Sequence, residues 1–343
     1  MKAIQPVLKS IGVGALALTL LTACSTEDEN IPIDPDNSES TEQTDPVEGD
    51  EGESIVTIDP QEFGEAFTRG DFSEIYAQTS SDFKAAVDEA AFIELSTSYN
   101  ENVTSFELLS TIPVQGLMEY LWIDQSGTKG IQTYFDADQA IAGLQLTPLS
   151  SFPETDEKLS ETSFIVPTTE TWFTFWGGRN VMVNYHYAVE SQRYAYDWSI
   201  MQNGSSYAGD PAENESYFAF GKEVVAPAGG TVISVENGIQ DNTPQVETNA
   251  EQPLGNHVIL DHGNGEFSVL AHFKEGSVTV AEGDTVEQGD LLGLCGNSGN
   301  SSEPHIHFHV MDDADWMHAS SIRVNFEGEI DPKRGDEVPA GKN

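Results

Sequence analysis

Three histidines alternate along Pro304-His305-Ile306-His307-Phe308-His309. On a β-strand alternate side chains share a face, so His305, His307 and His309 converge while Ile306 and Phe308 pack behind them. Neutral imidazole binds metals and carries protons near neutral pH, so the pattern points to a metal site in which one ring binds and a neighbour moves a proton. Seven of the eight histidines lie between His186 and His309, and the eighth is His318. Neither histidine nor cysteine occurs between Val56 and Pro167, so the chemistry is expected in the C-terminal half.

The elements around that strand read as short and extended. Trp172–Trp176, Val181–Tyr187, Tyr194–Ile200, Val224–Val235, His257–Leu260, Phe267–His272, Leu291–Leu294 and His305–Val310 are separated by turn signals such as Gly229-Gly230 and Asn264-Gly265. Such spacing predicts a mainly β domain, an open barrel or sandwich of short antiparallel strands. Upstream, Phe63, Phe67, Phe72 and Tyr76, then Phe83, Val87 and Ala90, recur at helical spacing, and Asp88 is placed to cap a further helix. Val103–Thr111, Leu117–Ile123 and Gly130–Phe135 then read as strands around a Ser126-Gly127 turn, predicting a small α+β domain.

The C-terminal blocks, taken in order, resemble the lysostaphin-type peptidoglycan endopeptidases, zinc enzymes of the LytM-like group. The blocks are Tyr194-Ala195-Tyr196-Asp197, Val225–Val232, Gly255–Gly263 leading to Leu270-Ala271-His272-Phe273, and Gly293–His309. Carried over residue by residue, the resemblance implies a Zn2+ cofactor with Asp197 and His307 as ligands and His272 and His305 as catalytic groups. Zinc held by three protein ligands keeps a fourth position for water and lowers its pKa toward about 7. A histidine beside that water can accept its proton, and one near the oxyanion can stabilise the tetrahedral intermediate. His262 also matches a family position, but it sits between a strand and a Gly-Asn-Gly turn and reads as structural. The region of residues 56–150 looks like the nuclear-transport-factor-2-like cone that accompanies some bacterial wall enzymes.

One position departs from the pattern. The family carries a zinc-binding histidine four residues before the aspartate, and here Arg193 stands there. Arginine cannot deprotonate to ligate zinc. His186, on a strand-like segment sharing a face with Asn184, is one candidate replacement. His309, one strand period beyond His307 and roughly 7 Å farther along, is another. With no replacement, the domain would be a non-catalytic relative. Asn184 and His309 are otherwise expected to support the ligands from behind.

The remaining chain frames this domain. Lys2 and Lys9 precede the apolar run Ile11–Ala23, which is too short to span a bilayer, and the junction Leu21-Thr22-Ala23-Cys24 resembles a bacterial lipoprotein signal. Cys24 is then the expected lipidation site, two acyl chains giving a stable anchor. Ser25–Ser54 carries twelve acidic residues and no basic one, a composition that predicts a solvated tether reaching roughly 100 Å when stretched. The reading is residues 1–23 signal peptide, 24–55 tether, 56–150 accessory domain, 151–170 linker, 171–335 metallopeptidase and 336–343 tail.

With 14 Lys plus Arg against 58 Asp plus Glu, the formal net charge of -44 excludes a nucleic-acid or anionic-membrane-surface partner. No lysine lies between Lys274 and Lys333, which excludes a lipoyl or biotinyl carrier on the Glu282–Asp290 hairpin. The expected function is an exported zinc metallo-endopeptidase facing the cell wall from the outer face of the cytoplasmic membrane. Its substrate would be the peptide stems or cross-bridges of peptidoglycan. The membrane would be touched only through the anchor, and the accessory domain would be open to a regulator. The alternative is a non-catalytic wall-binding or regulatory module with the same fold.

Overall fold

The computed structural model describes residues 57–341. Its first layer follows from the phenylalanine spacing. Helices α1 (Phe63–Arg69), α2 (Phe72–Ala77), α3 (Ser81–Ala86) and α4 (Glu89–Tyr99) follow one another closely. Ser80 and Asp88 cap α3 and α4 by accepting from the Phe83 and Ala91 amides, which satisfies backbone donors a helix start leaves orphaned. Strands β1 (Phe106–Val114), β2 (Leu117–Asp124), β3 (Lys129–Phe135) and β4 (Ile141–Pro148) form an antiparallel meander in that order. Phe63, Phe67, Ile75 and Phe92 from the helices bury against Trp122, Ile131 and Phe135 of the sheet. Each such side chain withdrawn from water contributes about 1.5–3 kcal/mol before ordering costs.

After α5 (Pro153–Asp156), the chain is strands and loops: β5 (Leu159–Phe164), β6 (Trp172–Trp176), β7 (Tyr196–Ser199), β8 (Glu223–Val225), β9 (Gly230–Glu236) and β10 (Asn256–Asp261). β11 (Phe267–Phe273), β12 (Thr285–Val286), β13 (Leu291–Leu294), β14 (Ile306–Met311), β15 (Ser321–Phe326) and β16 (Glu337–Val338) complete it. One sheet runs β12-β9-β10-β11-β14-β7-β6-β16, with β15 pairing β14 and β5 beside β15, while β13 and β8 form a separate pair. All of these pairings are antiparallel except β5 with β15. Ile306, Phe308 and Val310 of β14 enter the core with Tyr196, Trp198 and Phe326, so the alternate residues face the other way, as the period of two requires.

Residues 151–170, expected as a connector, contain α5 and β5. Leu159-Ser160-Glu161-Thr162-Ser163-Phe164 hides its strand character because polar groups hold it. The buried Glu266 carboxylate accepts from the Glu161 and Thr162 amides at 2.6 and 2.8 Å, and Ser160 accepts from the Asn325 amide at 3.0 Å. The stretch expected as a tail, residues 336–343, likewise supplies β16, which pairs β6.

The meander and the larger sheet meet at a second buried cluster, Leu121, Leu149, Met182 and Val183. Beside it Arg334 Nε donates to Glu119 Oε2 at 2.9 Å, and Ser110 Oγ donates to the Arg334 carbonyl at 2.8 Å. Among the described residues no helix is long and apolar enough to cross a membrane. The leader, Cys24 and the acidic tether lie outside the described residues.

Candidate metal centre and groove

Strand pairing brings the first two groups together. His307 on β14 stands opposite Asp197 on β7 in the ladder, and its Nδ1 lies 2.9 Å from Asp197 Oδ1. His186 arrives from a different kind of element. Val181–Tyr187 was expected as a strand, but the chain turns there, and His186 sits on a 3-10 turn over Tyr185–Ala188. Asn184 builds that turn: its Oδ1 accepts from the His186 amide, and its Nδ2 lies within donating distance of the carbonyls of Gly178, Arg193 and Ala195. His186 Nε2 thereby comes to 3.0 Å from Asp197 Oδ2. One ligand atom from each of His186, Asp197 and His307 fits within 4.8 Å of the others, and all three residues are buried.

The hydrogen bonds behind these groups fix which nitrogen faces forward. His186 Nδ1 lies 3.1 Å from Gln192 Oε1 behind it, so Nε2 is the ring nitrogen that faces the Asp197 carboxylate. His307 Nε2 is paired with His309 Nδ1 at 2.9 Å, leaving Nδ1 toward Asp197. Imidazole nitrogens and a carboxylate converging in a buried space suit a divalent cation. Two imidazole nitrogens and one carboxylate oxygen are a donor set that zinc accepts. Burial opposes ionisation of Asp197, but the surrounding His186, His305 and His307 hold its carboxyl well below the usual carboxylate range. Burial pulls the His307 imidazole down, with Asp197 opposing. His309 lies behind His307, and its Nε2 has no hydrogen-bond partner among the described residues.

His305 and His272 flank this cluster, with ring centroids 4.7 Å apart. His305 Nδ1 donates to the Glu303 carbonyl and His272 Nδ1 to the Ser298 carbonyl, both at 2.8 Å, so each ring keeps a free Nε2. His305 Nε2 is 3.8 Å from Asp197 Oδ1. His272 is the extra residue of a bulge: Asn256 pairs Phe273 and His257 pairs Ala271, leaving His272 unmatched. Its φ of 71° is unusual for a residue with a side chain, and bulges of this kind re-aim a side chain toward a site. Burial, together with His305 and His307, keeps the His272 imidazole well below its ordinary pKa. Beneath it, Gly255 and Gly299 have φ of 59° and 80°, and a Cβ on Gly255 would lie 2.4 Å from the Ser298 oxygen. That close backbone approach puts the Ser298 carbonyl under His272.

Arg193, at the position where the resemblance calls for histidine, has its guanidinium 3.5 Å over the Phe152 ring and donates from Nε to the Tyr187 carbonyl. His262 lies 2.9 Å from the Gly229 carbonyl and 2.8 Å from Ser268 Oγ, a structural tie as expected. Cys295 is buried, and burial pushes its thiol well up.

The cluster opens into a groove of about 1220 Å³. Phe175, Trp176 and Tyr185 form one wall, and Ser205, Ser206 and Tyr207 lie on another. A third wall was not legible in the chain: Pro113, Val114, Gln115 and Gly116, the tip of the β1–β2 hairpin. Pro113 also touches the loop of Gly204, where an added Cβ would come within 3.1 Å. Arg334 lies 4.0 Å over Trp176, whose edge meets Tyr185 at 5.3 Å, and Tyr185 lies 3.9 Å from the His186 ring. An aromatic column thus runs from the buried ion pair to the histidine cluster.

The sequence model of peptidase family M23 matches residues 216–319, a stretch that holds His272, His305 and His307. This stretch belongs to peptidase family M23. A peptidoglycan DD-endopeptidase of Vibrio cholerae, ShyA, is 28% identical over 122 residues, covering 35% of this chain and 27% of the relative. An uncharacterized metalloprotease of Haemophilus influenzae is 34% identical over 92 residues, covering 26% and 16%. The chain spans about a quarter of the length of the first curated relatives it matches. Among solved structures, the deep-sea M23 metalloprotease pseudoalterin aligns at 14% identity over 53% of this chain and 96% of that one, with a TM-score of 0.30. Lysostaphin aligns at 20% identity over 35% and 46%, with a TM-score of 0.23.

Proposed function

We propose that the protein is a zinc metallo-endopeptidase that hydrolyses peptide bonds in the stems or cross-bridges of peptidoglycan. The observation that carries this reading is the convergence of His186, Asp197 and His307 beside two further histidines, His272 and His305, each with a free Nε2. His186 Nε2, the Asp197 carboxylate and His307 Nδ1 would hold the ion. Zinc bound there would supply Lewis acidity, polarising a peptide carbonyl and making water acidic enough to attack it near neutral pH. Nε2 of His305 or His272 takes the proton of the attacking water and, once protonated, donates to the developing oxyanion or to the leaving amine. The carbonyls of Glu303 and Ser298 keep both rings in the tautomer this needs. The groove walls hold the peptide in extended contact with these groups.

The peptidoglycan substrate is supported by the family match and by the similarity to the peptidoglycan DD-endopeptidase of Vibrio cholerae. The acidic tether and the Cys24 junction support an exported protein anchored at the outer face of the cytoplasmic membrane. Four helices followed by four antiparallel strands support the cone-like reading of the accessory region, where a regulator would bind. The deciding experiment is release of new amino groups from purified peptidoglycan by the zinc-loaded protein, with loss of release on chelation and recovery on adding zinc. A zinc-loaded protein that binds walls of varied cross-bridge chemistry and releases nothing would favour the non-catalytic module instead.

A further inference from the structure

Glu303 stands two residues before His305 and serves it with its backbone, taking the Nδ1 hydrogen bond on its carbonyl. Its side chain lines the groove. The other carboxylate lining the groove, Asp197, is taken up by His186 and His307, and no lysine or arginine lines it. Among the described residues, the hydrogen-bond partner of the Glu303 carboxylate is the Ser206 hydroxyl at 3.3 Å, which brings no charge. A carboxylate partly withdrawn from water without a cation is poorly compensated. Burial pushes the Glu303 carboxyl above its ordinary pKa, with His305 and Ser206 opposing. The group is therefore an acceptor in want of a positive charge, a short distance along the groove from the catalytic histidines.

We propose that Glu303 is a specificity-determining residue that receives an ammonium group of the peptide substrate, with Ser206 as its neutral neighbour. A single carboxylate beside one hydroxyl suits a compact ammonium. It offers too few oxygens for a calcium or magnesium ion. The inference rests on the peptidase reading and narrows it to peptides carrying a free amine near the bond that is cut. Because the carbonyl and the carboxylate of one residue face His305 and the substrate respectively, recognition and catalysis share a short segment of backbone.

The test uses the full zinc-loaded chain and soluble stem peptides released from peptidoglycan, with their amines free, dimethylated (charge kept) or acetylated (charge removed). Work at about 0.5 M salt screens charges beyond roughly 5 Å, which removes the general attraction of an acidic protein for cations. The wild type should favour the free and dimethylated peptides in kcat/KM by about 10- to 100-fold, the worth of a charge-assisted hydrogen bond. Glu303→Gln should bring both down to the level of the acetylated peptide in the same variant, so that the ratio among the three rates collapses while metal content is kept. A residue that only props His305 would change all three peptides alike. Equal rates in the wild type, or a preference that survives in Glu303→Gln, would overturn the assignment. Should the wild type cut none of them, purified peptidoglycan decides the peptidase reading and calorimetric Kd values for the same peptides decide this one. The same ranking would sustain it, and equal or absent binding would end it.

Discussion

Glu119 and Arg334 lie 215 residues apart in the chain and pair at 2.9 Å with both side chains almost wholly buried. Arg334 also donates to the Phe175 carbonyl at 2.8 Å and lies over Trp176. One guanidinium therefore joins the meander, the strand β6 and the groove wall. A buried pair is not a large net gain in stability, since desolvation offsets much of the attraction, but removing one partner strands the other.

Glu119→Leu should accordingly lower unfolding stability by about 3–5 kcal/mol in urea titrations. The double variant Glu119→Met with Arg334→Met should recover most of that loss. Equal destabilisation in single and double variants would mean that the pair is not what joins these layers.

Zinc content should separate the ligands from the groups behind them. His186→Ala, Asp197→Ala and His307→Ala should each bind little metal. His309→Ala, which removes only the partner of His307 Nε2, should lose affinity by about 10–100-fold. Full occupancy in His186→Ala would remove it from the ligand set.

The flanking histidines should behave oppositely. His305→Ala and His272→Asn should keep their zinc and lose on the order of 10²–10⁴-fold in peptidoglycan hydrolysis. Asn is chosen at position 272 because it tolerates the left-handed backbone there. Zinc lost from His305→Ala but kept by His307→Ala would reverse the roles on β14.

Stability should fall on the acid side partly through His262. Burial pulls this imidazole below its ordinary 6.5, against the Gly229 carbonyl and the Asp261 and Glu266 carboxylates. The unfolded chain takes up a proton that the folded protein resists. The contribution is therefore whole above pH 6.5 and is lost as pH falls from there toward the lower folded value. His262→Asn keeps a donor near Gly229 and removes the titration. Its thermal midpoint should drop less than that of the wild type between about pH 7.5 and pH 5, by roughly 1–3 °C. Identical drops would place the acid sensitivity in the other buried histidines.

Replacing Cys24 with Ala should release the exported protein from the membrane or block its processing. Unchanged membrane retention and acyl labelling would disprove the anchor.

The strand bearing His305, His307 and His309 was legible because alternation is a local signal carried by side-chain type. Asp197 and His272 were readable only in the company of the neighbouring blocks. The bulge that turns His272 into the site depends on an extra residue in a pair of strands, and nothing in Phe267–Phe273 announces it. β5 was not legible because hydrogen bonds from its amides to the Glu266 carboxylate, rather than alternating apolar residues, hold it. His186 is legible only as a replacement for the histidine missing at Arg193, and its 3-10 turn depends on Asn184 contacts to residues up to 11 positions away. The third groove wall and the Glu119–Arg334 pair arise from contacts across the two layers, which no local pattern encodes.

The hairpin tip has a consequence for how such a chain diversifies. Val114 and Gln115 border the groove yet belong to a meander that contributes none of the clustered histidines. Drift at those two codons reshapes the mouth of the groove while the chemistry stays under separate selection. On the proposed function, a lineage meeting a new wall composition has a place to adapt that leaves the histidine cluster untouched.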